Sequence, residues 1–452
     1  MELRDKRVLV VGLGKTGEAL CRFLLGRGAR VTVVDKQPAE KLGPRADRWR
    51  ERGVTVIAGS QDRKYFLDKD LVVPSPGVPP IVELETARAK GITVLSELEL
   101  ASRFLRGTIV GLTGSNGKST TATLAHKILQ DAGLRAFLAG NIGTPLISFV
   151  AKSRANDVYV TEISSFQLNY TETFKPAVSA VLNISINHID WHGTFEKYLE
   201  AKKKLLQNQD ANDAAILNRD DTRVWPLRQS GPFRTFGFSR RAAVARGCYL
   251  QGSRIILADG EKQELMRTSD IPLPGAHNWE NVMAAALIGH RLGVTLPRIR
   301  KSVKSFHGLE HRLEKVLTLK GVTFINDSKA TTVDATIKAL ESFREKVVVI
   351  LGGKDKGADF TLLRKLLRGR VRKAVLIGQA KEKIRAALEG YAPLEDAASL
   401  REAILRGFES AHRGDVVLLA PACASFDMFK DFEDRGRSFK REVRRLAERM
   451  RG

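Results

Sequence analysis

The segment from Thr108 to Ala132 constrains this chain more than any other. Ile109-Val110 reads as a buried strand, and Leu124, Ile128 and Leu129 recur on one side of a following helix. Between them stands Gly111-Leu112-Thr113-Gly114-Ser115-Asn116-Gly117-Lys118-Ser119-Thr120. Glycines let backbone N–H groups wrap a phosphate chain, a lysine here reaches the β/γ oxygens, and the Ser119 hydroxyl suits Mg²⁺. The strict phosphate-loop spacing would have Gly at 112, where Leu112 stands, so the motif is the variant T-G-x-x-G-K-S-T. An ordinary glycine–serine turn does not bring strand, lysine, hydroxyl pair and helix together, so the expected ligand is ATP. Kinases, ATPase motors and ligases share such a loop, and the other residues must choose among them.

Short β-branched runs alternate with amphipathic stretches along the whole chain, the pattern of parallel α/β sheets. Three blocks emerge. The first has strands at Val8–Val11, Val31–Val34 and Leu71–Val73, a helix over Thr16–Gly26, and the turn-rich Pro74-Ser75-Pro76-Gly77-Val78-Pro79-Pro80. The second begins near Leu98, with apolar runs at Val158–Ile163 and Ala177–Ile184 and helices at Asn278–His290 and Leu296–Ser305. The third starts near Leu309, with strands at Thr323–Asn326, Val347–Leu351, Ala374–Ile377 and Val416–Leu419. With 452 residues, 43% of them hydrophobic, each block can build a core.

Composition removes several classes. The chain carries 75 basic and 51 acidic side chains, a net charge of +24. The basic residues are spread out, with concentrations at Arg364–Lys373 and Lys440–Arg451, both spaced as amphipathic helices and read as solvated faces. No zinc-finger spacing or aromatic-interleaved basic run marks a nucleic-acid module. No apolar run approaches the ~20 residues of a membrane span, and the charged N-terminus reads as no signal peptide. Cys21, Cys248 and Cys423 fit neither a disulfide framework nor a cysteine-rich zinc site, so a reducing compartment is expected.

Gly12-x-Gly14-x-x-Gly17 follows the first strand, and Asp35 closes the next. This is the form of a dinucleotide fingerprint, and it indicates a diphosphate-bearing ligand more securely than it indicates NAD. Close strand–helix packing explains the glycines equally well. Glu162, at the end of an apolar run, is placed to hold Mg²⁺. In Asn183-Ile184-Ser185-Ile186-Asn187-His188-Ile189-Asp190-Trp191-His192-Gly193-Thr194, either histidine is open to a metal or to a loop hydrogen bond. Lys202-Lys203-Lys204, on a helix after Tyr198, reads by itself as a solvated face.

Taken together, T-G-x-x-G-K-S-T, Glu162-Ile163-Ser164-Ser165-Phe166-Gln167-Leu168, Asn187-His188-Ile189-Asp190 and Tyr198-x-x-Ala201-Lys202 resemble the ATP-dependent Mur ligases of bacterial cell-wall synthesis. The third block narrows the likeness to the D-glutamate-adding branch. It carries His311-Arg312-Leu313-Glu314, Asn326-Asp327-Ser328-Lys329-Ala330-Thr331, Gly352-Gly353-Lys354-Asp355-Lys356 and the run from Pro421 to Gly436. The resemblance covers nearly the whole chain. It implies an α/β protein of three domains: a Rossmann-like UDP-binding domain over 1–97, a central mononucleotide-binding P-loop ATPase domain over 98–308, and a C-terminal Rossmann-like amino-acid domain over 309–452. Closure of the last domain is expected.

The implied reaction phosphorylates the L-alanyl carboxylate of UDP-N-acetylmuramoyl-L-alanine with ATP, and the amine of D-glutamate then displaces phosphate. The resemblance implies Gly14, Lys15, Thr16, Asp35, Lys36, Ser75, Gly77 and Asn141 for the UDP substrate. For ATP it implies Gly114, Ser115, Asn116, Gly117, Lys118, Ser119, Thr120, Asn278, Asn281, Arg312 and Asp327. Lys118 would stabilise the migrating phosphoryl group, while Ser119, Glu162, His188 and Lys202, the last as a carbamate, would hold two Mg²⁺ ions. His188, Lys329, Thr331, Lys356, Ser425 and Phe432 are implied for D-glutamate. Asn187 stands where the family usually has Asp, Ser115 where Thr is common, and Thr332 where Asn is common. A cytoplasmic monomer without nucleic-acid partner or membrane insertion is expected. Three rivals weaken on the sequence: a folate polyglutamylating ligase lacks the first block, an NAD-dependent dehydrogenase leaves the ATP loop unexplained, and a nucleic-acid-binding ATPase lacks its module.

Overall fold

Valine- and isoleucine-rich runs buried on both faces become central parallel strands, because only a sheet covered by helices on each side removes such runs from water. The computed structural model describes residues 1–79, 81–185 and 189–450. It divides into two units, Met1–Asp270 with Trp279–Lys304, and Ile271–Asn278 with Ser305–Gly452. The first unit holds two sheets and the second one.

The N-terminal sheet has strands β1 (Arg7–Val11), β2 (Arg30–Asp35), β3 (Thr55–Ala58), β4 (Leu71–Pro74) and β5 (Thr93–Val94), in the order β3-β2-β1-β4-β5. All its pairs are parallel. The order reverses between β1 and β4, and ligands of doubly wound sheets sit outside the carboxyl ends of strands at such a switch.

The central sheet contains β6 (Thr108–Thr113), β7 (Ala136–Gly140), β8 (Val158–Glu162), β9 (Val178–Val181), β10 (Ala214–Asn218), β11 (Arg234–Ser239), β12 (Gly247–Gln251), β13 (Arg254–Asp259) and β14 (Glu261–Arg267). Its order is β14-β13-β12-β11-β10-β9-β6-β8-β7. The strands from β7 to β12 pair in parallel, and β12, β13 and β14 form an antiparallel meander. That meander was not legible: its outer strand starts Glu261-Lys262-Gln263-Glu264, all exposed, the charged composition that blunts a sheet edge.

In unit 1 one continuous core joins both sheets, from Val8, Val10 and Leu13 through Leu98 and Ile147 to Tyr159, Leu205 and Phe233. The helix Glu97–Ser102 enters that core, capped by Ser96, whose Oγ accepts from the Glu99 amide. It carries two buried acids. Glu99 accepts from the amides of Glu172, Thr173 and Phe174, the Thr173 hydroxyl and Arg103 Nε. Burial raises its pKa, but the bonds from Thr173, Glu172 and Arg103 outweigh it and hold the group below its ordinary value. Glu97 receives the Ile147 amide at 2.7 Å, and burial pushes its pKa up to about 7.

Unit 2 folds around β15 (Glu314–Leu319), β16 (Val322–Asn326), β17 (Val347–Gly352), β18 (Val371–Ile377), β19 (Leu394–Asp396) and β20 (Val416–Leu419). The order is β15-β16-β20-β17-β18-β19, parallel except for the antiparallel edge strand β15. The helix Phe432–Arg449 covers one face with Phe439, Val443 and Ala447. Burying Phe439 or Val443 contributes roughly 1.5–3 kcal/mol each. The expected helical run Arg364–Lys373 needs correcting: the helix ends at Arg370, and β-branched Val371 starts β18, paired with Val347. The α/β class with parallel sheets is the one the sequence pattern indicated, and the Rossmann-like architecture is the one the resemblance implied.

Candidate active site

The phosphate loop leaves β6 and enters the helix Lys118–Asp131, whose first amides have no intrahelical acceptor. Gly117 adopts φ +82, and a Cβ there would lie 2.3 Å from Asn281 Oδ1. Asn281 is buried and accepts from the Thr121 hydroxyl at 3.2 Å, which sets it against the loop. The Ser115 amide donates to the Asn183 carbonyl, and the Asn116 amide donates to Asn183 Oδ1. Asn183 Nδ2 donates back to the Asn116 carbonyl. So two loop amides are spent on the segment after β9, and Gly117 to Thr120 carry the positive end of the helix. Lys118 Nζ lies over this loop, donating to the carbonyls of Gly114 at 2.7 Å and Ser115 at 3.0 Å.

β8 pairs beside β6, with Leu112 opposite Glu162, so the carboxylate emerges at the same edge as the loop. Glu162 is 2% exposed. Its Oε1 accepts from Asn141 Nδ2 at 2.9 Å, while Oε2 is buried without a hydrogen-bond partner among the described residues. A buried, unsatisfied carboxylate oxygen facing a phosphate loop fits a hard cation, with Ser119 as a further oxygen donor.

Lys202 corrects the solvated-face reading of the lysine triplet. It is 2% exposed, donates to Thr113 Oγ1 and the Gly114 carbonyl, both at 3.2 Å, and lies over the Tyr198 ring. Burial first, then the nearby Lys118 charge, hold its pKa well below the usual lysine value, with Glu162 opposing. Tyr198 bridges to the loop, its hydroxyl 2.9 Å from Ser115 Oγ. His192 is taken up by Ser165 Oγ at 2.9 Å and stacks on Phe166. His188, expected to serve metal and D-glutamate, lies outside the described residues.

At the N-terminal switch point, Leu13 and Gln37 donate their amides to the two oxygens of Asp35. Ser75 Oγ donates to the Gly12 carbonyl, and Gly17 packs so tightly that a Cβ would come 2.0 Å from the Gly12 oxygen. Lys15 Nζ donates to the Gly143 carbonyl, beside Asn141. Gly14, Thr16, Lys36 and Gly77 lie on the same turns, and Lys36 and Gly77 are exposed.

In unit 2 the loops after β16, β17 and β20 gather at the carboxyl edge of the sheet. Lys329 and Thr331 follow β16, Lys356 follows β17, Ser425 follows β20, and Phe432 opens the last helix. Lys354 and Ala424 exchange backbone hydrogen bonds, and the Lys329 ammonium lies 5.7 Å from the Phe432 ring centre. Arg312 sits between His311 and Leu313, both left-handed at φ +65 and +43, and its Nε is buried without a hydrogen-bond partner among the described residues. Asp327 accepts from the Leu313 amide; burial pushes its pKa up to about 6 against the pull of Arg312. Asn278 is buried and donates to the Pro274 carbonyl.

Family models match along the chain: a Mur ligase MurD-like N-terminal domain over 6–96, a Mur ligase middle domain over 112–289, and a Mur ligase, glutamate ligase domain over 311–423. A UDP-N-acetylmuramoylalanine--D-glutamate ligase of Koribacter versatilis is 46% identical over 450 residues, 99% of each chain. The chain belongs to the Mur ligase family. Among solved structures, the UDP-N-acetylmuramate-alanine ligase of Thermotoga maritima is similar in fold, with a TM-score of 0.60 at 18% identity, covering 98% of this chain and 100% of that one. So is a MurF ligase of the same organism in complex with ADP, at 0.59 and 17%, covering 99% and 97%.

Sequence reasoning on this Mur ligase missed the supports. Asn183 and Tyr198 were visible only as motif letters, and Arg435 not as a site residue at all. No local spacing shows that Asn183 meets Asn116 or that Arg435 is buried among carbonyls.

Proposed function

We propose that the chain joins D-glutamate to the L-alanyl carboxylate of UDP-N-acetylmuramoyl-L-alanine, consuming ATP, in the supply of peptidoglycan precursor. Near full-length identity to a D-glutamate ligase carries this reading. A carboxylate is a poor electrophile, so the γ-phosphoryl group is first transferred to it, giving an acyl phosphate and ADP. The D-glutamate amine attacks the acyl carbon, a proton is lost, and inorganic phosphate leaves from the tetrahedral intermediate.

Lys118 and the helix amides balance charge on the transferring phosphoryl group. Ser119, Glu162, His188 and a carbamate on Lys202 would hold two Mg²⁺ ions, which supply charge neutralisation between the triphosphate and the carboxylate. The enclosed Lys202 amine, hydrogen-bonded to the neutral oxygens of Thr113 and Gly114, supports that modification, since CO₂ adds to the uncharged amine. Asn141 orients Glu162, and Asn278, Asn281, Arg312 and Asp327 would bind the rest of ATP. Gly14, Lys15, Thr16, Asp35, Lys36, Ser75 and Gly77 would hold the uridine diphosphate, with Asp35 acting through the Leu13 amide. Lys329, Thr331, Lys356, Ser425 and Phe432 would receive D-glutamate. The enzyme is expected to work as a cytoplasmic monomer; no helix among the described residues is long and apolar enough to cross a membrane.

Purified protein with all three substrates should release phosphate. Equal release when D-glutamate is omitted or replaced by L-glutamate would refute the assignment.

A further inference from the structure

Arg435 is a cation in an unusual place. It lies in the helix Phe432–Arg449, is 1% exposed, and reaches beneath the carboxyl edge of the unit 2 sheet. Its Nε donates to Ser328 Oγ at 2.9 Å. Nη2 donates to the carbonyls of Ser328 at 2.9 Å and Cys423 at 3.1 Å, and Nη1 to the Ala424 carbonyl at 3.4 Å. Gly353 makes the room: a Cβ there would lie 3.2 Å from Nη1 and 2.2 Å from the Ala424 oxygen. Ser328 Oγ in turn donates to the Phe432 carbonyl. One guanidinium thus ties together the loops after β16 and β20 and the start of the last helix, with the loop after β17 packed against it.

Every acceptor in that set is neutral. Among the described residues, no carboxylate forms an ion pair with Arg435; Asp427 acts on it from a distance, and its Oδ2 accepts from the Gln379 amide. Burial lowers the guanidinium pKa to about 10, so the group still carries its charge at neutral pH. A buried charge hydrogen-bonded to one hydroxyl and to carbonyls, with Asp427 acting from farther off, is incompletely compensated, and its field acts strongly across a low-dielectric interior. The three loops it touches are those bearing Lys329, Lys356 and Ser425.

We propose that Arg435 is a specificity-determining positioning residue: it fixes the loops of the amino-acid site and, without touching the substrate, makes that site select a dianionic amino acid over one with a neutral side chain. This rests on the reading of the unit 2 edge as the D-glutamate site. A second carboxylate entering above the loops supplies the compensation that the protein withholds. D-glutamine, nearly the same shape but without that charge, does not.

Steady-state kinetics on the full chain test this with Arg435→Met, Arg435→Lys, and both amines. Arg435→Met should raise the KM for D-glutamate at least about tenfold while the KM for ATP stays within about twofold, and the loss with D-glutamine should be several-fold smaller than that with D-glutamate. Arg435→Lys keeps the charge and should recover most of the preference. Equal losses in Met and Lys variants, or parallel changes for D-glutamate, D-glutamine and ATP, would reduce Arg435 to a structural role and overturn the proposal. If Arg435→Met does not fold, Ser328→Ala carries the test: it removes the Nε acceptor and should raise the D-glutamate KM by about threefold with kcat unchanged, and an unchanged KM overturns the proposal. Loss of D-glutamate dependence in the unaltered protein would instead sink the functional reading itself.

Discussion

Unit 1 contains two glycine-rich strand–turn–helix loops built on the same local grammar, and they are pinned by opposite charges. After β1, a carboxylate holds the turn: Asp35 takes the Leu13 amide at 2.7 Å. After β6, a cation lies on the turn: Lys118 donates to Gly114 and Ser115 carbonyls. The first loop is closed by packing, with Gly17 against the Gly12 oxygen, and the second by side chains, with Asn183 and Asn281 on its two flanks. Glycine spacing therefore says that a backbone can approach an anion. Both loops carry a lysine, but Lys15 reaches away to the Gly143 carbonyl while Lys118 folds back over its own loop, and that difference in placement is what the glycine spacing does not show.

The sharpest attempt to break this contrast is Lys118→Ala. It should reduce kcat on the order of 10²–10³-fold, as loss of one preorganised transition-state partner does. Full activity in coupled phosphate release would make the two loops equivalent. Next in size is the buried Glu97 carboxyl, which receives the Ile147 amide. Its folded pKa of about 7 lies above the ordinary 4.5, so its contribution to stability is fully present below about 4.5 and is lost as pH rises through about 7. At about 1.36 kcal/mol per unit, Glu97→Gln should remove a decline on the order of 2–3 kcal/mol across that window, read from urea unfolding of both proteins at pH 4.5 and 8.5. Parallel curves would mean that Glu97 ionises freely.

Gly17→Ala forces a Cβ against backbone and should cost about 1–3 kcal/mol of stability, raising the KM for the UDP substrate while sparing that for ATP. Gly117→Ala, at φ +82 and against Asn281, should show the reverse KM pattern; the same pattern from both would erase the distinction. The smallest effect is expected from Asp35→Asn, which keeps one acceptor oxygen and loses the other. A loss of about 1 kcal/mol, with a modest rise in the KM for the UDP substrate, fits its part in holding the Leu13 amide. An unchanged midpoint on thermal unfolding would show that the turn holds itself.

Much of this was legible. The parallel strands at Val8–Val11, Thr108–Thr113 and Val416–Leu419 announce themselves because β-branched residues buried on both faces leave no other reading. The loop at 113–120 is local, and local motifs survive in sequence. The β12–β14 meander was not legible, since its edge strand opens with four exposed polar residues and lacks the apolar run that marks the buried strands. Arg364–Lys373 misled because a basic run keeps helical spacing past Arg370, while pairing with β17 captures Val371.

By itself the sequence determined that this is a three-block α/β chain with a phosphate loop at Lys118 and an acid at Glu162, because periodicity and contiguous motifs are properties of the chain. Only the tertiary structure decided that Lys202 is a buried amine rather than a wet one, that Asn183 spends two loop amides, and that Arg435 is a charge held by carbonyls. Burial and partner choice depend on residues as far as 107 positions away, and no short window along the chain contains them.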